Sequence, residues 1–320
     1  MNSAIQCLSH LRCLNYECSE FTEDRRKRNG SNDYGLMVKW LHLQQEMWGD
    51  TTEGVINTGD ILRKFIELCQ KNDIYFESFQ QNDASDFIRI FLDLLHESIK
   101  RNVSINYTGE PSSTFDQLKV KSIMKWGEYF ENSYSYIIKN FYSQLLSITS
   151  CPECDYLTTN HDPIMVVTLP PPNETINSLD ACIRKFTEEE QFDSGEEWTC
   201  DKCKEKVLPH SKTNFWKLGK VIIFQIKLYT KQSKINYHIS FPEILDMNNY
   251  CLCKEKSVDY SYNLSGICIH SGGLHGGHYY AMCRNYKDNS WNIHNDSHVS
   301  LTTIENVKEQ TPYCFFYERT

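Results

Sequence analysis

The sequence predicts an α+β fold in which helices come first and strands dominate afterwards. Three observations carry this. Up to about residue 100, apolar residues recur at helical spacing, as in Phe87, Phe91, Leu95 and Ile99. From residue 135 the pattern changes to alternation and to apolar runs such as VIIFQI. Four of the 14 cysteines form two Cys-x-x-Cys pairs, Cys151/Cys154 and Cys200/Cys203, inside the strand-rich part.

Composition narrows the function. With 40% hydrophobic and 13% aromatic residues, the 320-residue chain should fold around a core. A net charge of −9 disfavours nucleic-acid binding through phosphate contacts and suits a basic partner. No apolar run approaches the roughly 18 residues of a membrane span, so no membrane partner is expected. The opening MNSAIQCLSHLRC lacks the basic start and apolar centre of a signal peptide. A reducing compartment, cytoplasm or nucleus, is therefore expected over a disulfide framework.

Residues 1–13 read as a helix with Ile5, Leu8 and Leu11 on one face. An apolar stripe from Leu36 to Trp48 marks a second, and Thr58 is placed to cap a third carrying Ile61, Phe65 and Cys69. A fourth comes after FQQND, with Asn82 as the expected cap and Asp83 and Asp86 where acids complement the helix dipole. Residues 101–133 carry no legible chemistry, and Gly109-Glu-Pro-Ser-Ser marks a surface turn. Ser135–Ser150 reads as strand; residues 221–230 as a central strand; and 262–270, HYYAMCRNY, SWNIHN and YCFFYE as an antiparallel sheet.

Two constellations bear chemistry. The Cys-x-x-Cys pairs supply four thiolates, enough for a tetrahedral zinc site with bonds of about 2.3 Å, against four unconnected cysteines. No nearby His or open position is evident, which favours a structural ion. The second constellation is GGLHGGHYYAMCRNYKDNSWNIHND, residues 272–296. His278 could act as general base to a thiol, with Asn295 holding its second nitrogen; otherwise it is a strand-end histidine beside glycine. Cys7, Cys268 and Cys283 read as core residues, and His270 as structural.

GGLHGGHYYA followed by WNIHND resembles the His box of the ubiquitin-specific proteases, a papain-like family of cysteine peptidases. MNSAIQCL resembles the segment after that family's catalytic cysteine, where the order is Cys-Tyr-Met-Asn-Ser. The resemblance therefore sets the nucleophile two positions before Met1, with the oxyanion-hole Asn further upstream. Gln81-Asn-Asp-Ala with Asp86-Phe87, and FPEILDM, resemble two more family segments, and the likeness covers nearly the whole chain. It implies a papain-like fold in one domain: a mainly helical thumb (1–133), zinc-bearing β fingers (134–230) and a β palm with the His box (231–320).

The same resemblance implies hydrolysis of isopeptide bonds at the C-terminal glycine of ubiquitin, with ubiquitin and ubiquitinated proteins as partners. His278 would take the thiol proton and return it to the leaving amine. Asn295 would orient the ring, and Asp296 would stand near the oxyanion hole. Gln81, Asp83 and Asp86 would bind ubiquitin's basic tail. Gly276, Gly277 and Tyr279 would border a slot that only a Gly-Gly tail passes. Cys151, Cys154, Cys200 and Cys203 would hold structural zinc. Without the nucleophile, these 320 residues should show little or no hydrolysis; the alternatives are a ubiquitin-binding pseudoenzyme and a zinc-stabilised scaffold unrelated to ubiquitin.

Overall fold

Capping and burial set the helices. In the computed structural model, which describes residues 1–18, 22, 34–49, 54–76, 82–171, 173, 175–229, 233–235, 237–273 and 276–319, α1 (Asn2–Ser9) buries Ala4, Ile5, Cys7 and Leu8 and runs into a 3-10 turn at Arg12–Leu14. Helices α2 (Gly35–Trp48), α3 (Gly59–Lys71) and α4 (Ala84–Ile99) meet through Trp40, Phe65, Phe87 and Phe91, whose ring centroids lie 4.9–6.1 Å apart where they touch. Thr58 holds the cap position of α3 without capping it: its hydroxyl donates to Asn2 Oδ1, and Asn57 Oδ1 takes the Gly59 amide instead. Asp83, not Asn82, caps α4, because a carboxylate one residue further on reaches the amides of Ser85 and Asp86.

The middle of the chain holds a helix without a sequence signal and one correction. Residues 114–130, for which the sequence offered no element, form α5 (Thr114–Phe130), capped by Ser113. The stretch from Ser135 begins as α6 (Tyr136–Phe141), because Ser135 Oγ takes the amides of Ile137 and Ile138; strand starts only at β1 (Ser143–Ser150).

β1 pairs with β2 (Leu157–Ile164) and β7 (His210–Lys217), and β4 (Glu189–Gln191) completes a four-stranded antiparallel sheet. Beyond it β5 (Trp198–Thr199) and β6 (Lys206–Val207) make a small ribbon. The larger, eight-stranded sheet uses β3 (Val166–Leu169), β8 (Val221–Ile226), β9 (Ile244–Asp246), β10 (Ser261–Gly273), β11 (Gly276–Arg284), β12 (Trp291–Asn295), β13 (His298–Thr302) and β14 (Cys314–Glu318). Its order is β13-β12-β11-β10-β14-β8-β3, with β9 beside β10; all pairs are antiparallel except β3 with β8. β8 is an interior strand, as its apolar run requires.

Helix α1 lies against β10, β11 and β12, so the start of the chain is buried on the large sheet. The buried carboxylate of Glu318 fixes this junction from the last strand, accepting the amides of Arg12 at 2.8 Å and Cys13 at 2.9 Å. Among the described residues, no helix is long and apolar enough to cross a membrane.

Candidate active site

β10 and β11 meet through glycine. Gly272 pairs with Gly277 and Gly273 with Gly276. Gly272 has φ +132°, and a Cβ there would stand 2.5 Å from Gly277 Cα. A Cβ on Gly277 would stand 2.3 Å from His270 Nε2 and 2.4 Å from the Ser271 carbonyl oxygen. The glycines leave a bare backbone path floored by rings. His270 Nδ1 is hydrogen-bonded to the Tyr229 hydroxyl, and its ring centroid lies 4.6 Å from that of Tyr279. Tyr313 lies 5.9 Å beyond Tyr279 and donates its hydroxyl to Asp83.

His278 opens this path, exposed, opposite Ser271. Its Nε2 is 2.6 Å from Asn295 Oδ1 and 3.8 Å from Asp296 Oδ2. An amide oxygen only accepts, so Nε2 carries the proton and Nδ1 is left as the basic nitrogen. Asp296, with φ 51°, turns the chain out of β12 and accepts from Asn2 Nδ2 at 3.0 Å. The amino end of α1, with its positive dipole, is thereby held beside the imidazole. Three buried thiols nearby, Cys268, Cys7 and Cys314, are poor nucleophiles. Burial pushes Cys268, 3.7 Å from Ser3 Oγ, up to about 12, and raises Cys7 and Cys314 well above the ordinary range.

The two acids ahead of α4 differ. Asp83 Oδ1 accepts from the Ser85 amide and hydroxyl, both at 2.7 Å, while Oδ2 takes the Tyr313 hydroxyl. Asp86 is exposed and lines a cleft of about 460 Å³ with Tyr75, Phe76 and Arg89. Desolvation and the charge of Asp83 raise its carboxyl, against the pull of Arg89. Gln81 lies outside the described residues.

The four paired cysteines converge. Cys151 and Cys203 Sγ are 3.8 Å apart, Cys154 and Cys200 Sγ 3.6 Å, and all four lie within 4.8 Å of one another. Two thiolates on a tetrahedral ion with bonds of about 2.3 Å stand about 3.8 Å apart, so the cluster can hold a metal ion. The knuckles match: the first Cys amide of each donates to the carbonyl five residues on, at 2.9 Å, and the residue after each second Cys, Asp155 or Lys204, has positive φ. Desolvation opposes ionisation of Cys200, but the amides of Cys203 and Lys202 bring it down to about 7.

Residues 1–317 match the family model described as ubiquitin carboxyl-terminal hydrolase. The chain belongs to that family. Human ubiquitin carboxyl-terminal hydrolase 2 is 30% identical over 328 residues, which cover 99% of this chain and 53% of the relative. Drosophila melanogaster Usp2 is 31% identical over 333 residues, 100% of this chain and 34% of its own. The chain thus spans about half the length, or less, of these relatives. Among solved structures, the SAGA DUB module of Ubp8, Sgf11, Sus1 and Sgf73 bound to monoubiquitin matches with TM-score 0.73 at 24% identity, over 99% of this chain and 66% of that one. This likeness supports the papain-like α+β fold.

Within this family member, His278, Asn295 and Asp296 come together, as do Gly276, Gly277 and Tyr279 nearby. Asp83 and Asp86 share a helix start, but Asp83 is engaged internally. Sequence reasoning missed the supports: Asn2 under Asp296, Tyr229 under His270 and Tyr313 under Asp83. Each pair is far apart in sequence, and no local pattern signals it.

Proposed function

We propose that the chain is the catalytic domain of a thiol-dependent deubiquitinase that cleaves the isopeptide bond at ubiquitin's C-terminal glycine. The carrying observation is the His278–Asn295 bond at 2.6 Å, which fixes a basic Nδ1 beside the amino end of α1 at the mouth of the glycine path. The nucleophile belongs at that helix end, where the family resemblance sets a cysteine two positions ahead of Met1. His278 takes its proton, and the thiolate attacks the glycine carbonyl. As the C–N bond breaks, the imidazolium gives its proton to the lysine amine. A water, deprotonated by His278, then cleaves the thioester and restores the thiol. Asn295 orients the ring, Asp296 stands near the oxyanion, and the slot of Gly276, Gly277 and Tyr279 excludes any side chain larger than glycine's.

In this reading ubiquitin is the partner, as monoubiquitin is for the similar solved module, and Asp86 receives an arginine of its tail, with Gln81 alongside and Asp83 positioning the helix start. The thumb, fingers and palm take residues 1–133, 134–230 and 231–320, with β3 and β8 joining the palm sheet. The four cysteines hold structural zinc at the fingertip, which requires a reducing compartment, cytoplasm or nucleus.

The test is to treat the protein purified from its own cells with ubiquitin bearing a thiol-reactive C-terminus, and to map the adduct by mass spectrometry. An adduct on a cysteine at the amino end of α1 is expected. An adduct on a cysteine of residues 1–320 would overturn the nucleophile's position. Bound ubiquitin without any adduct would mean a binder that does not cut.

A further inference from the structure

A second set of metal-binding side chains lies inside the large sheet's junction with α1. His10 just past α1, Cys283 on β11 and His294 on β12 each offer one ring nitrogen or sulfur, all within 4.8 Å of one another. They are 4%, 0% and 8% exposed. The two imidazoles meet edge to face with centroids 4.8 Å apart. His10 is already oriented: its Nδ1 donates to the Gln6 carbonyl at 2.8 Å, which leaves Nε2 with a free lone pair. Fixing one histidine nitrogen on a backbone carbonyl is how metal-binding imidazoles are commonly set.

His294 decides what the cluster is for. Neither of its ring nitrogens has a hydrogen-bond partner, although the side chain is buried. A buried polar atom without a partner is unfavourable, because it has given up its hydrogen bonds to water and gained none in return. An imidazolium–thiolate pair between His10 and Cys283 would satisfy those two residues and leave His294 as it is. A metal ion gives each of the three residues a partner at once, through one ring nitrogen of His294. Cys7 Sγ, 4.0 Å from Cys283 Sγ, is a candidate fourth donor, close to the thiolate spacing of the four-cysteine cluster. An adjoining cavity of about 520 Å³, lined by both histidines, gives an ion a path inward.

We propose that His10, Cys283 and His294 form a second zinc site, separate from the four-cysteine cluster, that clasps α1 to β11 and β12. Two imidazoles with one or two thiolates are a tetrahedral zinc donor set, whereas calcium and magnesium take oxygen ligands. His294 directly precedes Asn295, so the ion would brace the strand end that carries the ring-orienting amide. The site stands whether or not the chain acts on ubiquitin.

Zinc-edge X-ray absorption on the full chain, reconstituted with zinc ions alone, tests this without any variant. A shell that mixes sulfur with imidazole nitrogen is expected, since the fingertip provides sulfur only. An all-sulfur shell would overturn the proposal. His294→Phe, which fills the space with an apolar ring, should remove the nitrogen scattering and lower bound zinc by one equivalent per chain. Nitrogen scattering that survives in a folded His294→Phe protein, judged by near-ultraviolet circular dichroism, would also overturn it.

Discussion

Asp83 and Asp86 sit three residues apart, yet their surroundings give them different work. The carboxylate of Asp83 accepts backbone and hydroxyl hydrogens at the start of α4 and the Tyr313 hydroxyl, so both of its oxygens are already engaged within the chain. Asp83→Ala should lower unfolding free energy by about 1–2 kcal/mol in a denaturant titration, the usual cost of losing a helix cap. Asp86→Asn should leave stability alone and weaken ubiquitin binding, most strongly at low salt. Equal binding by wild type and variant at low salt would remove Asp86 from the interface. Gly277→Ala tests the slot itself. Its Cβ would meet the Ser271 carbonyl oxygen at 2.4 Å, and backbone cannot turn aside as a side-chain tip can. The strands must part, so the variant should melt earlier and label poorly with thiol-reactive ubiquitin. A variant that melts and labels as wild type does would show the path to be wider than the glycines suggest.

Helices were legible in proportion to what they bury. α4 declared itself because Phe87, Phe91, Leu95 and Ile99 all face the core, each 0–1% exposed. α5 escaped because it buries little besides Ser122, Gly127 and Phe130, while Phe115, Met124 and Tyr129 are 41–54% exposed and blur any stripe. α6 was disguised by Ile137 and Ile138, which suit strands; the Ser135 cap overrides that preference. The cap has its own support. Buried His96 bonds Ser135 Oγ at 2.8 Å through Nδ1 and Ser133 Oγ at 3.0 Å through Nε2. Burial lowers its pKa to about 4, against the smaller upward pull of Glu97, with Lys100 pushing down. An unfolded histidine titrates near 6.5, so between about pH 4 and 6.5 the unfolded chain binds the extra proton. Stability from this residue is complete above that window and is lost as pH falls through it, by about 2 kcal/mol between pH 7 and pH 5. His161, also lowered to about 4 by burial, adds to the same trend. His96→Gln should flatten the pH dependence of unfolding without abolishing it; an unchanged slope would contradict a neutral buried His96.

At the scale of the whole molecule, the candidate site is assembled where the first helix meets the late strands, and the resemblance of short motifs exposed its members but not their mutual support. Which histidine nitrogen is free depends on the bond between His278 and Asn295, and the hold of Asn2 on Asp296 joins the two ends of the chain. The fingertip poses the opposite problem, because it lies apart from the main core and must hold itself together. Its buried cluster is Cys151, Cys200 and Val207, backed by Cys154, Tyr156, Trp198 and Cys203. So few apolar groups cannot offset the conformational entropy of two knuckles and a ribbon, whereas the bonds of the proposed structural zinc would. Removing one thiolate should therefore loosen this end alone. Cys203→Ser discriminates better than a chelator, which would strip the proposed second site as well. Amide hydrogen exchange should rise across residues 198–207, from Trp198 through the second knuckle to Val207, while β8 at 221–226 stays protected inside the large sheet. Protection unchanged at the fingertip, with no zinc bound to the wild-type cluster, would mean that these cysteines pack without metal.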